Sequence, residues 1–335
     1  MNILMLGGTQ FSGRSCVMQA VQAGHQVTVL HRSKADPGLP SSVRRIVGDR
    51  DPALGDGLAQ IHAIAEKGER FDAVVDMCGY VPRVVQASCD LLNNSTDIYI
   101  YISSVSVYER SADATPDEDS PVITLEDPTV EEVTSETYGG LKVLCERVVD
   151  QSFGNRACIV RPGLIAGPND PTDRFTWWVR VLASEEAVLV PAEPAGLVSF
   201  IDARDLAAFF LTCAANQTTG VFNAVGPEVG LGFGTFLDRA KAALKSKTRL
   251  LACAHDWLAG HEVKPWQSLP FWLPAESQSM HRVSGARARS KGLLNRSLEE
   301  TVRDTHAWDC ERNTPTLKAG LAIEQLRELV RMIGT

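Results

Sequence analysis

The chain has 335 residues and a formal net charge of -8. That length suits one large α/β domain or a domain with a smaller lobe. The acidic balance argues against nonspecific binding to nucleic acid or to an anionic membrane surface, and no apolar run approaches the length of a membrane span.

The eight cysteines form no C-x-x-C pair and no zinc-like spacing. Buried thiols in a reducing cytoplasm are expected, with no disulfide framework and no metal site. The amino terminus runs straight into an apolar strand pattern and shows no basic signal-peptide region.

Residues 3–6 are an uncharged apolar run, as in a strand buried on both faces. Gly7-Gly8-Thr9-Gln10-Phe11-Ser12-Gly13 follows. Gly7 and Gly8 permit a tight turn, and Gly13 removes a side chain where helix and strand must pack. The first N–H groups of the next helix then favour a phosphate anion. A helix over 14–23 stops at Gly24, and a second strand spans 26–30. This strand–turn–helix–strand order is the context of a dinucleotide site. Gln10 stands where the backbone nears the pyrophosphate, and it would crowd that group or bond to it.

His31, Arg32 and Ser33 end the second strand. No acid is there to accept from the ribose hydroxyls, whereas Arg32 can pair with a 2′-phosphate. NADP is therefore the expected cofactor and NAD the alternative. A third strand at 43–47 leads to Asp49, which can accept from the adenine amino group or cap the following turn. A helix over 58–67 and a strand over 71–77 lead to Cys78, Gly79 and Tyr80, small residues at first that would leave room for a cofactor.

A helix over 83–92 precedes a strand at 97–102, which runs into Ser103-Ser104-Val105-Ser106-Val107-Tyr108. Hydroxyls at the carboxyl end of a parallel strand sit where α/β folds bind ligands. Residues 109–136 are acidic and proline-containing, and they read as a long surface excursion or lid.

Tyr138 and Lys142 share one face of the next helix. Gly139 and Gly140 between them imply that something approaches that backbone closely. An ammonium beside a phenol favours phenolate and lowers its pKa. Ser104 could then hold a substrate oxygen while Tyr138 exchanges its proton.

Together these stretches resemble the short-chain dehydrogenase/reductase superfamily, in its extended, epimerase/dehydratase-like branch. Arg161-Pro162-Gly163-Leu164-Ile165-Ala166-Gly167-Pro168 and Phe200-Ile201-Asp202-Ala203-Arg204-Asp205-Leu206 add to the likeness, which covers most of residues 1–225. The resemblance implies a Rossmann-type, doubly wound parallel sheet with a smaller carboxyl-terminal substrate lobe. Residues 1–168 and 197–225 would form the core, and 169–196 and 226–335 the lobe. It also implies Tyr138 as acid/base, Lys142 on the nicotinamide ribose, Ser104 on the substrate oxygen and Pro162 near the carboxamide. Gly7, Thr9, Gln10, Phe11, Gly13, Arg32, Asp49, Cys78 and Gly79 would line the cofactor. The turn is also similar to a subgroup reading Gly-Gly-Thr-Arg-Phe-Leu-Gly, which includes chloroplast stem-loop-binding proteins thought to act on RNA. Val105 and Ser106 replace the acid pair of sugar-nucleotide dehydratases, so that reaction is not expected.

In the second half, strands are expected at 157–160, 187–191, 197–201 and 220–225, and helices at 176–183, 206–215, 235–246, 298–308 and 317–333. Trp177 could stack on a substrate ring and Arg180 could pair with it, although such aromatics also serve as packing. Ser106 could add a substrate contact. Arg282, Arg287, Arg289, Lys291 and Arg296 form an acid-free basic stretch. It suits a nucleotide diphosphate, an RNA backbone or a solvated helix.

The expected activity is hydride transfer at a carbinol or ketone carbon of a small molecule such as a nucleotide sugar. Epimerase and net reductase begin with the same step. The alternative is a non-catalytic RNA-binding or NADP-sensing protein, although nucleic acid and membrane are not the expected partners. This fold type often dimerises through paired helices, so a homodimer is allowed.

Overall fold

Alternating apolar strands and amphipathic helices give a β-α-β chain whose first half is built on one sheet. The structure, a computed structural model, describes residues 1–33, 38–192, 196–227 and 230–333. In chain order the first elements are β1 (Asn2–Leu6), α1 (Phe11–Gln22), β2 (Gln26–His31), β3 (Arg44–Val47), α2 (Gly57–Ala65), β4 (Phe71–Asp76), α3 (Pro82–Leu92) and β5 (Thr96–Ile102). After the acidic excursion come α4 (Tyr138–Phe153), β6 (Ala157–Pro162), β7 (Ile165–Ala166), α5 (Arg174–Ser184), β8 (Ala187–Pro191), β9 (Leu197–Val198) and β10 (Ile201–Asp202). The chain closes with α6 (Ala203–Asn216), β11 (Gly220–Ala224), β12 (Leu231–Gly232), α7 (Phe233–Leu244), β13 (Arg249–Cys253), α8 (His255–Gly260), α9 (Ala286–Ser290), α10 (Leu298–Arg312) and α11 (Ile323–Ile333).

The main sheet has seven strands in the order β11-β6-β5-β4-β1-β2-β3. Every neighbouring pair is parallel. The strand order reverses at β1, which lies between β2 and β4, and a ligand crevice opens at the carboxyl ends there.

Side chains alternate between the two faces of each strand. Ile3, Met5, Val29 and Ala73 join Phe209 and Phe210 of α6 on one face. Leu4, Leu6, Val74, Tyr99 and Tyr101 join Cys89, Cys145 and Phe153 on the other. Both faces are thus covered, which explains why these strands read as continuous apolar runs.

A further core gathers Phe175, Trp177, Trp178, Phe233, Phe236, Phe271 and Leu326. It forms the lobe beside the sheet. Three boundaries differ from expectation. Residues 197–201 split into β9 and β10, which pair with different partners. Helix α1 starts at Phe11, before the expected position. Residues 317–322 stay non-helical, because Lys318 N–H donates to Asp173 and Leu321 N–H to the Ser268 carbonyl.

Candidate active site

The glycine turn is tight and closely packed against the helix that follows it. Gly7 and Gly8 have φ of +87° and +100°, where a side chain is strained. A Cβ on Gly13 would lie 2.6 Å from the Gly8 Cα, so only glycine allows this helix–strand approach. Gln10 is the N-cap residue of α1, is exposed, and makes no capping bond. The first-turn N–H groups of α1 therefore stay available to a phosphate. Thr9 and Phe11 flank it, and Phe11 carries the turn at φ +44°.

At the end of β2 the His31 ring is buried, and its Nε2 finds no partner. Burial pushes this imidazole below its ordinary pKa. Arg32 is exposed beside it. Asp49 accepts from the Asp51 N–H at 2.9 Å, which is the turn-capping role.

The exit turn of β4 is braced from beneath. Asp76 is wholly buried and accepts from Arg50 at 2.5 and 2.9 Å and from the Tyr99 hydroxyl at 2.8 Å. Burial alone would raise this carboxyl, but Arg50 holds it below the ordinary range. The same carboxylate accepts from the Cys78 N–H at 3.2 Å. A Cβ on Gly79 would meet the Tyr101 ring at 2.7 Å. Packing underneath therefore requires the small residue.

The Gly79 carbonyl accepts from Lys142 Nζ at 2.7 Å and from the Tyr101 hydroxyl at 2.8 Å. Lys142 also donates to the Ile102 carbonyl at 2.7 Å. Its ammonium lies 4.6 Å from the Tyr80 ring centre and 4.8 Å from that of Tyr101. Burial lowers this lysine to about 8.

Tyr138 stands beside Tyr80, with ring centres 6.4 Å apart. Burial raises its phenol above the ordinary value, and the hydrogen bond with the Ser104 side chain pulls it back. The expected lowering by Lys142 is thus corrected: two of the ammonium's three donors are held by carbonyls, and the group that opposes burial at Tyr138 is Ser104. Ser104 Oγ also accepts the Ser106 N–H at 3.1 Å.

Two close approaches explain the glycines after Tyr138. A Cβ on Gly139 would lie 2.1 Å from the Ser106 carbonyl oxygen, and one on Gly140 would lie 2.3 Å from Leu125 Cγ. Leu125 belongs to the acidic excursion, which therefore sits directly on the helix start. The excursion is also tied at Glu118, which accepts the Asn223 N–H, at Ser111, which exchanges bonds with Ser279, and at Glu131, which pairs with Arg83.

Pro162 ends β6 beside Ala224 of β11. Ser103 N–H donates to the Val160 carbonyl, so β6 delivers its end next to Ser104. The fold thus brings Ser104, Ser106, Tyr138 and Lys142 together with Cys78 and Gly79, and the glycine turn lies on the adjacent strand.

Trp177 and Arg180 lie elsewhere, which corrects their expected substrate role. Trp177 is fully buried in the lobe core and donates to the Leu321 carbonyl. Arg180 is forked onto Asp309 at 2.7 and 2.8 Å. It lines a shallow pocket with His306 and Thr314. In the basic stretch Arg287 pairs with Asp119 at the surface, and Arg296 pairs with Asp205 and Glu300. Missed in the sequence were Arg50 and Asp76. Their partners come from separate strands, so no local spacing announces them. Among the described residues no group of acids, histidines and cysteines could hold a metal. No described helix is long and apolar enough to cross a membrane.

A doubly wound sheet, a glycine turn under an uncapped helix and a Ser–Tyr–Lys set at the strand ends define a dinucleotide-binding class of protein. The chain belongs to the NAD dependent epimerase/dehydratase family, whose description matches residues 3–225. The curated chloroplast stem-loop binding protein of 41 kDa b from Arabidopsis thaliana is 28% identical over 260 residues, covering 73% of this chain and 62% of that protein.

Solved structures share the fold. The UDP-Glc/GlcNAc 4-epimerase of Campylobacter jejuni superposes with a TM-score of 0.65 at 16% identity, covering 92% of this chain and 99% of that one. A UDP-glucuronic acid 4-epimerase from Bacillus cereus in complex with NAD gives 0.65 at 15%, covering 94% and 100%. A human epimerase family protein with NADPH gives 0.59 at 18%, covering 92% and 99%.

Proposed function

We propose that the protein is an NAD(P)-dependent oxidoreductase or epimerase acting at a carbinol or ketone carbon of a nucleotide sugar or a related small molecule. The observation that carries this reading is the convergence of Ser104, Tyr138 and Lys142 at the carboxyl edge, beside the braced Cys78–Gly79 turn.

The residues present fit a dinucleotide. Gly7, Gly8 and Gly13 form a cradle that a Cβ would fill, and the start of α1 faces it. When bound, the nicotinamide supplies the hydride acceptor or donor. Ser104 holds the substrate oxygen. Tyr138, kept protonated in its buried setting, gives a proton to a developing alkoxide or takes one from the hydroxyl. Lys142 holds the ribose from its fixed place on the Gly79 and Ile102 carbonyls. Arg32 and the missing strand-end acid favour NADP. The test is NADPH binding and oxidation against a nucleotide-sugar panel, with Tyr138→Phe alongside.

A second reading is RNA binding, favoured by the likeness to the stem-loop binding protein. The internal pairing of Arg287 and Arg296 weighs against it. Steeply salt-dependent affinity for a stem-loop RNA would support it.

A further inference from the structure

A cleft of about 350 Å³ lies between the turn after β11, the segment after α9 and the start of α10. Its volume falls in the range of small-ligand sites. Phe200, Leu231, Leu293 and Leu298 give it an apolar wall, and Leu294, which also lines it, is 80% exposed. Among the described residues that line it, none belongs to the Ser104, Tyr138 and Lys142 set, to the Cys78–Gly79 turn or to the glycine turn. The cleft is therefore separate from the proposed catalytic edge.

The charged groups in this cleft are paired, with one exception. Arg204 forks onto Asp202, which also accepts from the Thr301 hydroxyl. Arg296 forks onto Asp205, and Arg239 onto Glu299. Arg289 pairs with no acid, and its guanidinium donates no hydrogen bond among the described residues. Its Nη1 is sealed from water. A guanidinium partly withdrawn from water without an anion is costly. The two aspartates of the lining do not relieve it, because each is already held by its own arginine.

Arg289 is also fixed in place. A Cβ on Gly285 would lie 2.9 Å from Nη1 and 2.9 Å from Val225 Cγ2, so the fork packs where Gly285 meets Val225. The next residue, Gly226, lines the cleft, and its carbonyl accepts from the Phe200 N–H and the Ser199 hydroxyl. Val225 packs with Val105, Val107 and Val143, which follow Ser104 and Lys142 closely in the chain. An occupant of the cleft would thus sit behind the wall of the catalytic edge without entering it.

We propose that this cleft binds a small organic anion, a carboxylate or phosphate on an apolar body, as a ligand other than the cofactor and the substrate. The Arg289 fork takes the anionic group, since a planar guanidinium matches either oxyanion with two parallel hydrogen bonds. The leucine wall takes the apolar body. This site goes beyond the oxidoreductase reading and does not depend on it.

The test is calorimetric titration of the full chain with benzoate, phenyl phosphate, inorganic phosphate and neutral benzyl alcohol, each with and without saturating NADPH. The expected result is binding of benzoate or phenyl phosphate, with inorganic phosphate and benzyl alcohol each at least tenfold weaker. Preference for phenyl phosphate assigns a phosphate, and preference for benzoate assigns a carboxylate. Arg289→Gln should weaken the organic anion more than tenfold. Leu294→Asp, which sets a carboxylate at an exposed position of the lining, should weaken it as well. Both variants should keep the wild-type melting temperature, because Arg289 has no bond to lose and Leu294 is exposed. Should Arg289→Gln fail to fold, Leu294→Asp carries the comparison. Wild-type affinity in the folded variants, displacement of the anion by NADPH, inorganic phosphate binding as tightly as the organic anions, or no anion bound at all overturns the proposal. Failure of wild type to bind NADPH contradicts the oxidoreductase reading alone, and the titrations without NADPH then decide the cleft.

Discussion

Lys142 Nζ donates to the carbonyl of Gly79, and this bond joins the helix that carries Tyr138 to the turn that follows β4. The turn is held in place by Asp76, and Asp76 by Arg50. The position of the ammonium is therefore set by a chain of buried polar contacts that runs from α4 through the turn after β4 to Arg50, beyond β3.

That ammonium titrates to about 8 because burial disfavours its charge. Below this value it is positive and can bond to the ribose; above it the charge is lost. NADP(H) affinity should fall as pH rises through about 8. Lys142→Met should bind more weakly and flatten the profile, as read by fluorescence titration across pH.

Breaking the Arg50–Asp76 pair should be severe. Asp76→Ala leaves a buried guanidinium uncompensated, with an expected loss of about 3–5 kcal/mol in denaturant unfolding. Because the folded-state carboxyl sits below its ordinary pKa, its contribution is present above the ordinary aspartate range and is lost as pH falls through its folded value. Asp76→Ala should remove that part of the acid dependence.

His281 supplies an acid window of its own. The ring accepts the Ser199 N–H at Nδ1, and its Nε2 lies 3.1 Å from the Phe271 carbonyl. This is the neutral form, and burial lowers its pKa to about 4. Between the ordinary histidine value and about 4 the unfolded chain binds a proton that the folded chain refuses. Stability should therefore drop on acidification across that range, by about 3 kcal/mol in all. His281→Asn, which cannot titrate there, should lose this dependence in melts recorded between pH 7 and 4.

Close packing of the lid on α4 predicts a second stability effect. Gly140→Ala would force Leu125 aside, with an overpacking cost of about 1–3 kcal/mol. Gly139→Ala meets the Ser106 carbonyl, a backbone atom that cannot swing away, and should cost more. Thermal melts of the two variants check the order.

Much of this fold is legible in the sequence, because buried parallel strands are uninterrupted apolar runs and Gly24 and Gly68 mark helix ends. Ser104, Tyr138 and Lys142 stand out because two share a helix face and the third ends a strand. Trp177 and Arg180 look like ligand contacts for the same local reason. Their true partners, Leu321 and Asp309, lie far along the chain, where spacing carries no signal. The Arg50–Asp76 brace is hidden likewise, since the partners come from loops and strands that only the sheet order brings together. Residues 317–322 carry helical spacing, yet Asp173 and Ser268 hold their backbone in another path.

The most direct test of the central claim is a binding titration of wild type with NADPH and NADH, run beside Arg32→Ala and Tyr138→Phe. The account predicts tighter NADPH than NADH binding, loss of that preference in Arg32→Ala, and unchanged NADPH affinity in Tyr138→Phe. With a turned-over substrate, the last variant should lose about 100- to 10,000-fold in rate. If neither dinucleotide binds to wild type, the glycine turn under α1 is not a cofactor site and the account is contradicted.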